Sequence, residues 1–414
     1  MDIQPFRGIF YRVPETDLGK VLAPPYDVIP PAYQAELYAR DPRNIVRVIL
    51  NSEAGDAGYE EAGRTFRRWV DEGLLRADEA PALYLLEQSF ASEGGRTLRR
   101  YGLLARFRAE DPEKGVILPH EHTRKAAKDD RYRVLKATCA NFSPIFLMFA
   151  DPESRFSSLA ANVMGRAPTL QYTDDGAVAH RLWKVVEEAA IGSFRALVGS
   201  QKAYIADGHH RHATALRYRD EVGPDGAWTL GYFTPMDAPG LVVLPYHRIL
   251  AEGPSLADAR RLLAAGPFRV AAASDVAAAA RDVAASPAPY AFALATPSEG
   301  AVVVEAQLEA GDLLPKEAPP SLRALDTYFF HKVALARVLE IPEEAVSYVH
   351  SLSEAGDAVA QGRCRLAALM RGTPVGQIVA VADARESMPA KSTFFHPKLP
   401  SGLVIHPLAA QASR

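Results

Sequence analysis

The stretch of residues 203–216, AYIADGHHRHATAL, brings together residue types that suit the binding of an anion. A short apolar run with strand character ends at a turn dipeptide, and a run of good helix formers follows it. The start of a helix leaves backbone N–H groups unpaired and carries partial positive charge, so it attracts anions. The candidate phosphate-binding residues at this turn are Asp207, Gly208, His209, His210 and Arg211.

The chemistry available at this turn is that of a phosphate site. Gly208 has no Cβ, so a ligand can approach the backbone closely. The imidazole and guanidinium groups that follow donate hydrogen bonds to phosphate oxygens, and Arg211 does so with a planar fork. A solvated helix start with one or two structural histidines is the alternative interpretation. Three of the chain's 11 histidines fall in this short run, which favours the functional interpretation.

A second polar stretch, residues 118–133, is predicted to be a loop that delivers side chains to a site. It contains His120 and His122, whose spacing would also allow two imidazoles on a strand to ligate a metal. A solvated basic loop is the alternative. The candidate ligand-binding residues of this loop are His120, Glu121, His122, Thr123 and Lys125.

The segment of residues 386–403, ESMPAKSTFFHPKLPSGL, places lysines and hydroxyls among turn formers and aromatic residues. These side chains could contact a bound anion, or they could belong to a well-packed tail whose lysines face solvent. The sequence leaves both interpretations open. The residues concerned are Lys391, Ser392, Thr393 and Lys398.

The elements that must position these groups are predicted from hydrophobic periodicity. Residues 44–50, NIVRVIL, are rich in β-branched side chains and predict a strand. Residues 180–197 carry apolar side chains at helical spacing and predict one amphipathic helix. Residues 82–90 and 99–108 predict a pair of strands, and residues 321–339 predict a helix.

Composition restricts the class of protein. The 414 residues, 48% hydrophobic and 23% charged, are typical of a folded chain of about two or three domains. A net charge of -3 argues against a large nucleic-acid-binding surface. Cys139 and Cys364 are the only cysteines, which excludes a multi-cysteine zinc site and a disulfide framework. Because no secretory signal or membrane-length apolar run is found, we expect a cytoplasmic protein with no membrane or nucleic-acid partner.

Five motifs resemble, in their order along the chain, those of a bacterial and archaeal family known as domain of unknown function 1015. They are LAPPYDVI, NIVRVIL, LPHEHT with KDDR downstream, IADGHHRHATA and MPAKSTFFHPKLPSGL, and they span nearly the whole chain. That family is distantly similar to the ParB/sulfiredoxin superfamily, in which a related turn starts a helix and binds nucleotide phosphate. The superfamily includes free-serine kinases, which convert L-serine to O-phosphoserine.

The resemblance implies an α+β fold with a ParB/sulfiredoxin-like core and an additional α/β C-terminal region. We expect the core and its phosphate site within residues 1–250 and an α/β accessory region within 251–340. A C-terminal segment, residues 341–414, is expected to pack back on the core. The sequence becomes rich in alanine and proline from about residue 251, which supports the first boundary.

The function implied by the resemblance is that of a small-molecule kinase acting on a metabolite hydroxyl, with free L-serine the leading acceptor. ATP, ADP and pyrophosphate all stay open as donors, and Walker and protein-kinase signatures are absent. Asp27, Glu121 and Asp207 are candidate bases for the hydroxyl, and His120 and His210 are further candidate catalytic groups. Asp207 or Glu121 is expected to hold Mg²⁺, which prefers oxygen ligands.

Two other functions stay open. The first is a metal-dependent phosphoester hydrolase built on His120, His122, His209 and Asp207. The second is a non-enzymatic ParB-like nucleotide or nucleic-acid module, although the net charge and the lack of a helix-turn-helix pattern argue against DNA. The oligomeric state is also open, and a homo-oligomer is compatible with the sequence.

Overall fold

The structure is a computed structural model, and it describes residues 1–53, 55–92, 94–296 and 298–408. The chain forms two compact units. The first unit comprises Met1–Pro119, Thr123–Val242 and the chain from Pro397 onward, and the second comprises His120–His122 and Val243–His396. The division into a core (1–250), an accessory region (251–340) and a C-terminal segment (341–414) stays a prediction.

The strands of the described residues are mostly short. In chain order they are β1 (Ile3–Gln4), β2 (Ile9–Tyr11), β3 (Leu75–Ala77), β4 (Leu83–Ala91), β5 (Thr97–Arg108), β6 (Ile117–Leu118), β7 (Ala140–Asn141), β8 (Ile145–Phe149), β9 (Leu170–Thr173), β10 (Ala179–Val185), β11 (Ala203–Asp207), β12 (Trp228–Pro235), β13 (Val242–Leu244), β14 (His247–Leu250), β15 (Phe268–Ala273), β16 (Ala291–Thr296), β17 (Gly300–Ala306), β18 (Val346–Val349), β19 (Leu366–Met370), β20 (Phe394–His396) and β21 (His406–Pro407).

The α-helices of the described residues range from a single turn to more than four turns. In chain order they are α1 (Glu15–Val21), α2 (Pro31–Arg40), α3 (Val46–Ile49), α4 (Gly55–Asp71), α5 (Lys125–Thr138), α6 (Arg155–Met164), α7 (Glu188–Gly199), α8 (His209–Val222), α9 (Leu256–Ala264), α10 (Val276–Ala285), α11 (Pro320–Arg323), α12 (Asp326–Phe329), α13 (Leu352–Ala360) and α14 (Val375–Asp383).

The first unit is built around a mixed sheet in which nine strands of the described residues take part. Eight follow the order β6-β11-β8-β12-β5-β4-β10-β9, and β1 pairs with β5. β11 runs parallel to β6, β12 runs parallel to β8, and the other pairs are antiparallel. The predicted strand pair is confirmed as β4 and β5, and its register places Gln88 opposite Arg100.

The core of the first unit fixes which side chains face the polar motifs. Alternate apolar residues of the sheet pack against Phe156 of α6 and Phe194 of α7. Successive side chains of a strand point to opposite faces of the sheet. Gln88, Arg100 and Tyr232 stand at the intervening positions, so they lie on the face opposite α6 and α7.

The second unit contains an antiparallel sheet of six strands, in the order β15-β17-β16-β19-β14-β18. Apolar side chains cover both of its faces: Leu263 of α9 lies in one core cluster, and Val283 of α10 and Ala358 of α13 lie in the other. The chain is therefore an α+β protein with a mixed sheet, as expected. Among the helices that the structure describes, none is long and apolar enough to cross a bilayer.

The predicted strand over residues 44–50 is wrong, because the chain forms the helical turn α3 there. Asn44 supplies the reason. Its side-chain oxygen accepts a hydrogen bond from Val46 N at 2.9 Å, and its side-chain nitrogen donates to the carbonyls of Lys20 and Leu22. This side chain therefore satisfies the backbone at the start of a helix. Periodicity does not separate a fully buried helical turn from a buried strand.

The predicted helix over residues 180–197 is also wrong, because the segment divides into β10 and α7. β10 pairs with β4 along its whole length. That pairing joins segments distant in sequence, and such tertiary contacts override local propensity. The predicted loop over 118–133 gives way to helix α5 at Lys125, and the predicted helix over 321–339 is divided into α11, α12 and a π-helical segment, Phe330–Val338.

Candidate phosphate-binding site

The motif IADGHHR forms the predicted strand, turn and helix start. β11 ends at Asp207, α8 begins at His209, and Gly208 between them has a φ of 97°. A Cβ on Gly208 would lie 2.9 Å from Cζ of Arg211. Glycine is therefore required both by the left-handed backbone and by the guanidinium packed against it. The register of β11 against β8 shifts between Ile205 and Asp207, and such an irregularity re-aims the strand's last side chain.

Asp207 lies between two cations. Its Oδ1 accepts a hydrogen bond from Lys398 Nζ at 2.7 Å, and its Oδ2 accepts one from Arg211 Nη2 at 2.5 Å. The three side chains are largely buried, with 17% of Asp207, 11% of Lys398 and 12% of Arg211 exposed. Burial alone would raise the pKa of Asp207, but the charges of Lys398 and Arg211 outweigh it and hold that pKa well below its usual range.

The contacts within this ion triplet of Lys398, Asp207 and Arg211 bear on what two of the predicted residues can do. Arg211 directs one nitrogen to Asp207 and another to the Pro144 carbonyl, so its guanidinium helps to hold the turn. Asp207 is a poor base, since its carboxylate is strongly stabilised. It also does not fit a Mg²⁺ ligand, because each of its oxygens already contacts a cation. In the parts of the chain that the structure describes, no group of three or more His, Cys, Asp or Glu side chains could hold a metal ion.

Two buried polar residues that the sequence analysis missed fix the backbone that carries Lys398. Arg100 donates to the Pro397 carbonyl at 2.5 Å and also to Oε1 of Gln88. Gln88 in turn donates from Nε2 to the Lys398 carbonyl at 3.0 Å. Arg100 is fully buried, and its guanidinium lies 4.6 Å from the centroid of the Phe146 ring. An Arg and a Gln directly opposite each other on two predicted strands were the signal available in the sequence.

The starts of two long helices meet at His210. The backbone N–H of Arg124, which precedes α5, donates to His210 Nε2 at 3.0 Å. α5 and α8 are each 14 residues long, and they run in the same direction. Two ion pairs further along the helices establish that direction: Asp129–Arg217 and Lys136–Glu221. Two positive helix ends therefore lie side by side, an arrangement that an anion between them would stabilise.

Asp27 lies in the 3₁₀ turn Tyr26–Val28, and its side chain is exposed. The Arg131 guanidinium stacks on the neighbouring Tyr26, 3.8 Å from the ring centroid. Burial, assisted by the charge of Asp27, raises the pKa of Tyr26 to about 12. Tyr26 and Arg211 line the same cavity. The turn thus places Asp27 beside a residue that shares a cavity with the triplet.

The remaining residues of the LPHEHT motif divide between the two units. His120, Glu121 and His122 belong to the second unit, whereas Thr123 and Lys125 belong to the first. Thr123 is half-buried and Lys125 is exposed at the first position of α5. His209 at the start of α8 is buried.

In the second unit, the histidine motif contacts part of the C-terminal motif. His120 is buried, and its Nε2 lies 3.2 Å from Thr393 Oγ1. The Met388 N–H donates to the His120 carbonyl at 2.9 Å, and Glu121 forms a parallel bridge with Met388. His122 is exposed. The structure thus brings together two motifs that are far apart in the sequence.

The four C-terminal candidates divide between the two units. Lys398 belongs to the first unit, whereas Lys391, Ser392 and Thr393 belong to the second. Ser392 is buried and its hydroxyl donates to the Pro389 carbonyl at 2.7 Å. Lys391 adopts a left-handed backbone, with a φ of 56°, and its ammonium lies 5.0 Å from the centroid of the Tyr246 ring. Ser392 therefore has a packing role in its own unit.

The fold and this site define an α+β protein with a candidate anion site at a strand-to-helix turn. The family model described as "Protein of unknown function (DUF1015)" matches residues 3–328. The chain belongs to this family. No curated protein matches the sequence.

Three solved structures illustrate what the chain is similar to. A free serine kinase in complex with AMP is 12% identical, with a TM-score of 0.36, over 74% of this chain and 92% of that one. A conserved hypothetical protein from Pyrococcus furiosus is 13% identical, with a TM-score of 0.35, over 72% and 93%. SbnI with a C-terminal truncation, from Staphylococcus aureus, is 10% identical, with a TM-score of 0.34, over 72% and 84%. At this level of similarity, the functional conclusion rests on the chain's own residues.

Proposed function

We propose that this protein is a small-molecule kinase with a ParB/sulfiredoxin-like core. It transfers a phosphoryl group from ATP, ADP or pyrophosphate to the hydroxyl of a metabolite, with free L-serine as the leading acceptor. The observation that carries the proposal is the meeting of two parallel helix starts at His210, next to the Lys398–Asp207–Arg211 triplet. The motif resemblance supplies the choice of phosphoryl transfer and of serine.

The electrostatics of the two helix starts favour a phosphate. Each helix start carries about half a positive charge, and a favourably placed anion gains about 0.3–1 kcal/mol from each at an exposed site. The unpaired N–H groups of the first turns also supply donors that point outward along the helix axis. Lys398 adds a positive charge next to the start of α8. Asp207 neutralises this charge only in part, because the same carboxylate also pairs with Arg211. We assign the donor's phosphates to this place.

The proposed step is a displacement at the donor's terminal phosphorus. A bond forms from the acceptor's hydroxyl oxygen to phosphorus, and the bond from phosphorus to the donor's bridging oxygen breaks. The leaving group is ADP from ATP, AMP from ADP, or phosphate from pyrophosphate. The hydroxyl proton passes to a carboxylate. The helix starts and Lys398 stabilise the negative charge that the departing oxygen gains, which is the main protein contribution to phosphoryl transfer.

Asp27 is the base that we propose for this proton. We prefer Asp27 to Asp207 because two cations stabilise the Asp207 carboxylate, whereas Asp27 is exposed in a turn next to Tyr26. Glu121 is the second candidate. The roles of His120, His122, Thr123 and Lys125 in binding the donor stay predictions. The requirement for Mg²⁺ also stays a prediction.

The test is a screen of L-serine and related hydroxyl compounds against ATP, ADP and pyrophosphate, with the phosphorylated product detected by mass spectrometry. Asp27→Asn keeps the size of the side chain and removes its charge. We expect it to lower kcat by about 10²–10⁴-fold, the usual contribution of a general base, and to leave donor affinity unchanged. Asp71→Asn, at an exposed aspartate of the first unit, is the matched control.

Three outcomes would change this proposal. Near-normal turnover in Asp27→Asn would remove Asp27 from the mechanism and favour Glu121. Weakened donor binding in the same variant would assign Asp27 to binding instead of proton transfer. Cleavage of phosphoesters with added metal, with no phosphorylated acceptor from any pair, would replace the kinase by a hydrolase.

A further inference from the structure

A cavity of about 60 Å³ lies in the first unit, along α5 and α8 and next to the segment of residues 140–143. Apart from apolar side chains, its wall contains seven polar residues: Tyr26, Arg131, Asn141, Ser143, Arg211, Thr214 and Thr229. None of the described residues that line it is an aspartate or a glutamate. Its wall therefore offers guanidinium and hydrogen-bonding groups but no carboxylate of its own, and the two guanidiniums pair with Asp130 and Asp207.

Thr214 is a sign that the cavity is built to hold a polar group. The residue is 4% exposed, and its Oγ1 is buried without a hydrogen-bond partner among the described residues. A threonine hydroxyl inside a helix commonly bonds to the carbonyl four residues earlier. Thr214 does not use that carbonyl, so its hydroxyl is buried without a partner in a residue that lines the cavity. A buried hydroxyl with no partner is unfavourable, which makes an occupant energetically advantageous.

The other polar groups of the wall are mostly hydrogen-bond donors. Asn141 uses its side-chain oxygen for Leu230 N at 3.2 Å and for His406 Nδ1 at 3.0 Å, so its side-chain nitrogen remains to donate. Tyr26 keeps its proton, because burial raises the pKa of its hydroxyl to about 12. Arg211 is only partly neutralised, since Asp207 divides one negative charge between it and Lys398. This set of donors suits a carboxylate better than an ammonium group.

The size of the cavity limits its occupant. One buried water needs about 10–15 Å³ of cavity volume, so this cavity of about 60 Å³ has room for roughly four to six water-sized groups. A carboxylate with two or three further atoms fills that space. Thr214 stands five residues after His209, which is about 7.5 Å along the helix axis. A molecule of about three or four carbons can span from this cavity towards the helix start.

We propose that this cavity binds the carboxylate of the phosphoryl acceptor, so that the acceptors are small hydroxy acids and an amino group is not required. This inference rests on the proposed kinase function. It extends the proposed function by naming what is recognised: the carboxylate is bound by Thr214, Asn141, Tyr26 and Arg211, and none of the described lining residues is a carboxylate that could pair with an ammonium group. Glycerate therefore binds here as well as L-serine does, and ethanolamine does not.

The test titrates L-serine, glycerate and ethanolamine into the full-length protein by calorimetry, with no donor present. We expect the two carboxylates to bind with affinities within a few fold of each other, and ethanolamine to bind at least tenfold more weakly. Thr214→Val should weaken glycerate binding about five- to twentyfold, whereas Thr214→Ser should keep it. Thr16→Val, at an exposed threonine of α1, is the matched control. Tyr26→Phe removes one hydroxyl from a different element and should weaken glycerate binding in the same way.

The outcomes separate this inference from the proposed function. Carboxylate binding that Thr214→Val weakens supports the cavity assignment even if no phosphorylated product forms, and the absence of product would then count against the kinase alone. Ethanolamine binding equal to that of glycerate overturns the assignment. Unchanged glycerate affinity in both Thr214→Val and Tyr26→Phe, each folded as judged by its thermal unfolding, also overturns it and leaves a cavity that holds only water.

Discussion

Replacing Lys398 by Met should raise the pKa of Asp207. The ammonium of Lys398 lies 2.7 Å from Asp207 Oδ1, and the two side chains are 11% and 17% exposed. Two unit charges about 4 Å apart interact by about 4 kcal/mol at an effective dielectric constant of about 20. Solvent contact and the remaining charge of Arg211 reduce the loss, so about 2 kcal/mol is a reasonable value. At about 1.36 kcal/mol per unit, this raises the pKa by about 1.5 units.

The assay is carbon-detected NMR of protein labelled at the aspartate carboxyls, titrated from neutral pH into acid. Asp207→Asn identifies the signal of Asp207. Lys125→Met, which removes an exposed lysine at the start of α5, is the matched control and should leave that signal unchanged. An Asp207 pKa in Lys398→Met that equals the wild-type pKa would refute the argument that Lys398 stabilises this carboxylate.

The same substitution has a consequence for stability whose sign can be worked out. The folded pKa of Asp207 lies below its ordinary value of 3.8, so its ion pairs stabilise the folded state above about pH 4. This stabilisation is lost as the pH falls through the folded pKa. Lys398→Met should therefore unfold at lower urea concentration at pH 7, and the difference from wild type should shrink only below about pH 4.

Three further variants have defined expectations. Gly208→Ala should lose about 1–3 kcal/mol of unfolding free energy and bind pyrophosphate at least tenfold more weakly in calorimetry, because Gly208 has a φ of 97° and an added Cβ would lie 2.9 Å from Arg211 Cζ. At Gly356 no atom lies within 4 Å of an added Cβ, so Gly356→Ala should change neither stability nor pyrophosphate binding. Arg100→Met should lower turnover at least tenfold by releasing Pro397, whereas Arg99→Met on the exposed side of β5 should not, and equal effects of the two would contradict the positioning role. Burial lowers the pKa of His212 to about 4, so protonation of the unfolded chain below pH 6.5 opposes folding. Between pH 7 and pH 4.5 the unfolding free energy of His212→Gln should fall by up to about 3 kcal/mol less than that of wild type, as measured by urea unfolding. Equal losses in the two proteins would count against a buried, neutral His212.

The strand, turn and helix of residues 203–216 could be predicted because all the determinants are local. An apolar run, an Asp-Gly dipeptide and a run of helix formers each act within a few residues. The same holds for the β4–β5 hairpin. Local patterns failed at residues 44–50, where the outcome depends on hydrogen bonds from Asn44 to the carbonyls of Lys20 and Leu22. They also failed at residues 180–197, where β10 is specified by pairing with β4.

The residue types at the candidate site could be predicted, but their roles could not. The expected binding of phosphate by Arg211 stays a prediction, whereas its contacts with Asp207 and Pro144 could not be predicted. The position of Lys398 depends on Arg100 and Gln88, which lie about 300 residues earlier; the sequence pattern can pair these two residues with each other, but it does not link them to Lys398. The parallel arrangement of α5 and α8 is likewise a tertiary property. Spacing along the chain predicts which groups are available, and the fold decides what each one contacts.

The origin of the oxygen atoms in the product tests the central claim most directly. The protein is incubated with the phosphoryl donor and with L-serine or glycerate in water enriched in oxygen-18. The masses of the products are then measured by mass spectrometry. Transfer to an acceptor hydroxyl is expected to give a phosphorylated acceptor whose phosphoryl group carries no oxygen from solvent. Inorganic phosphate that contains solvent oxygen, with no phosphorylated acceptor, would contradict the kinase and identify water as the attacking group.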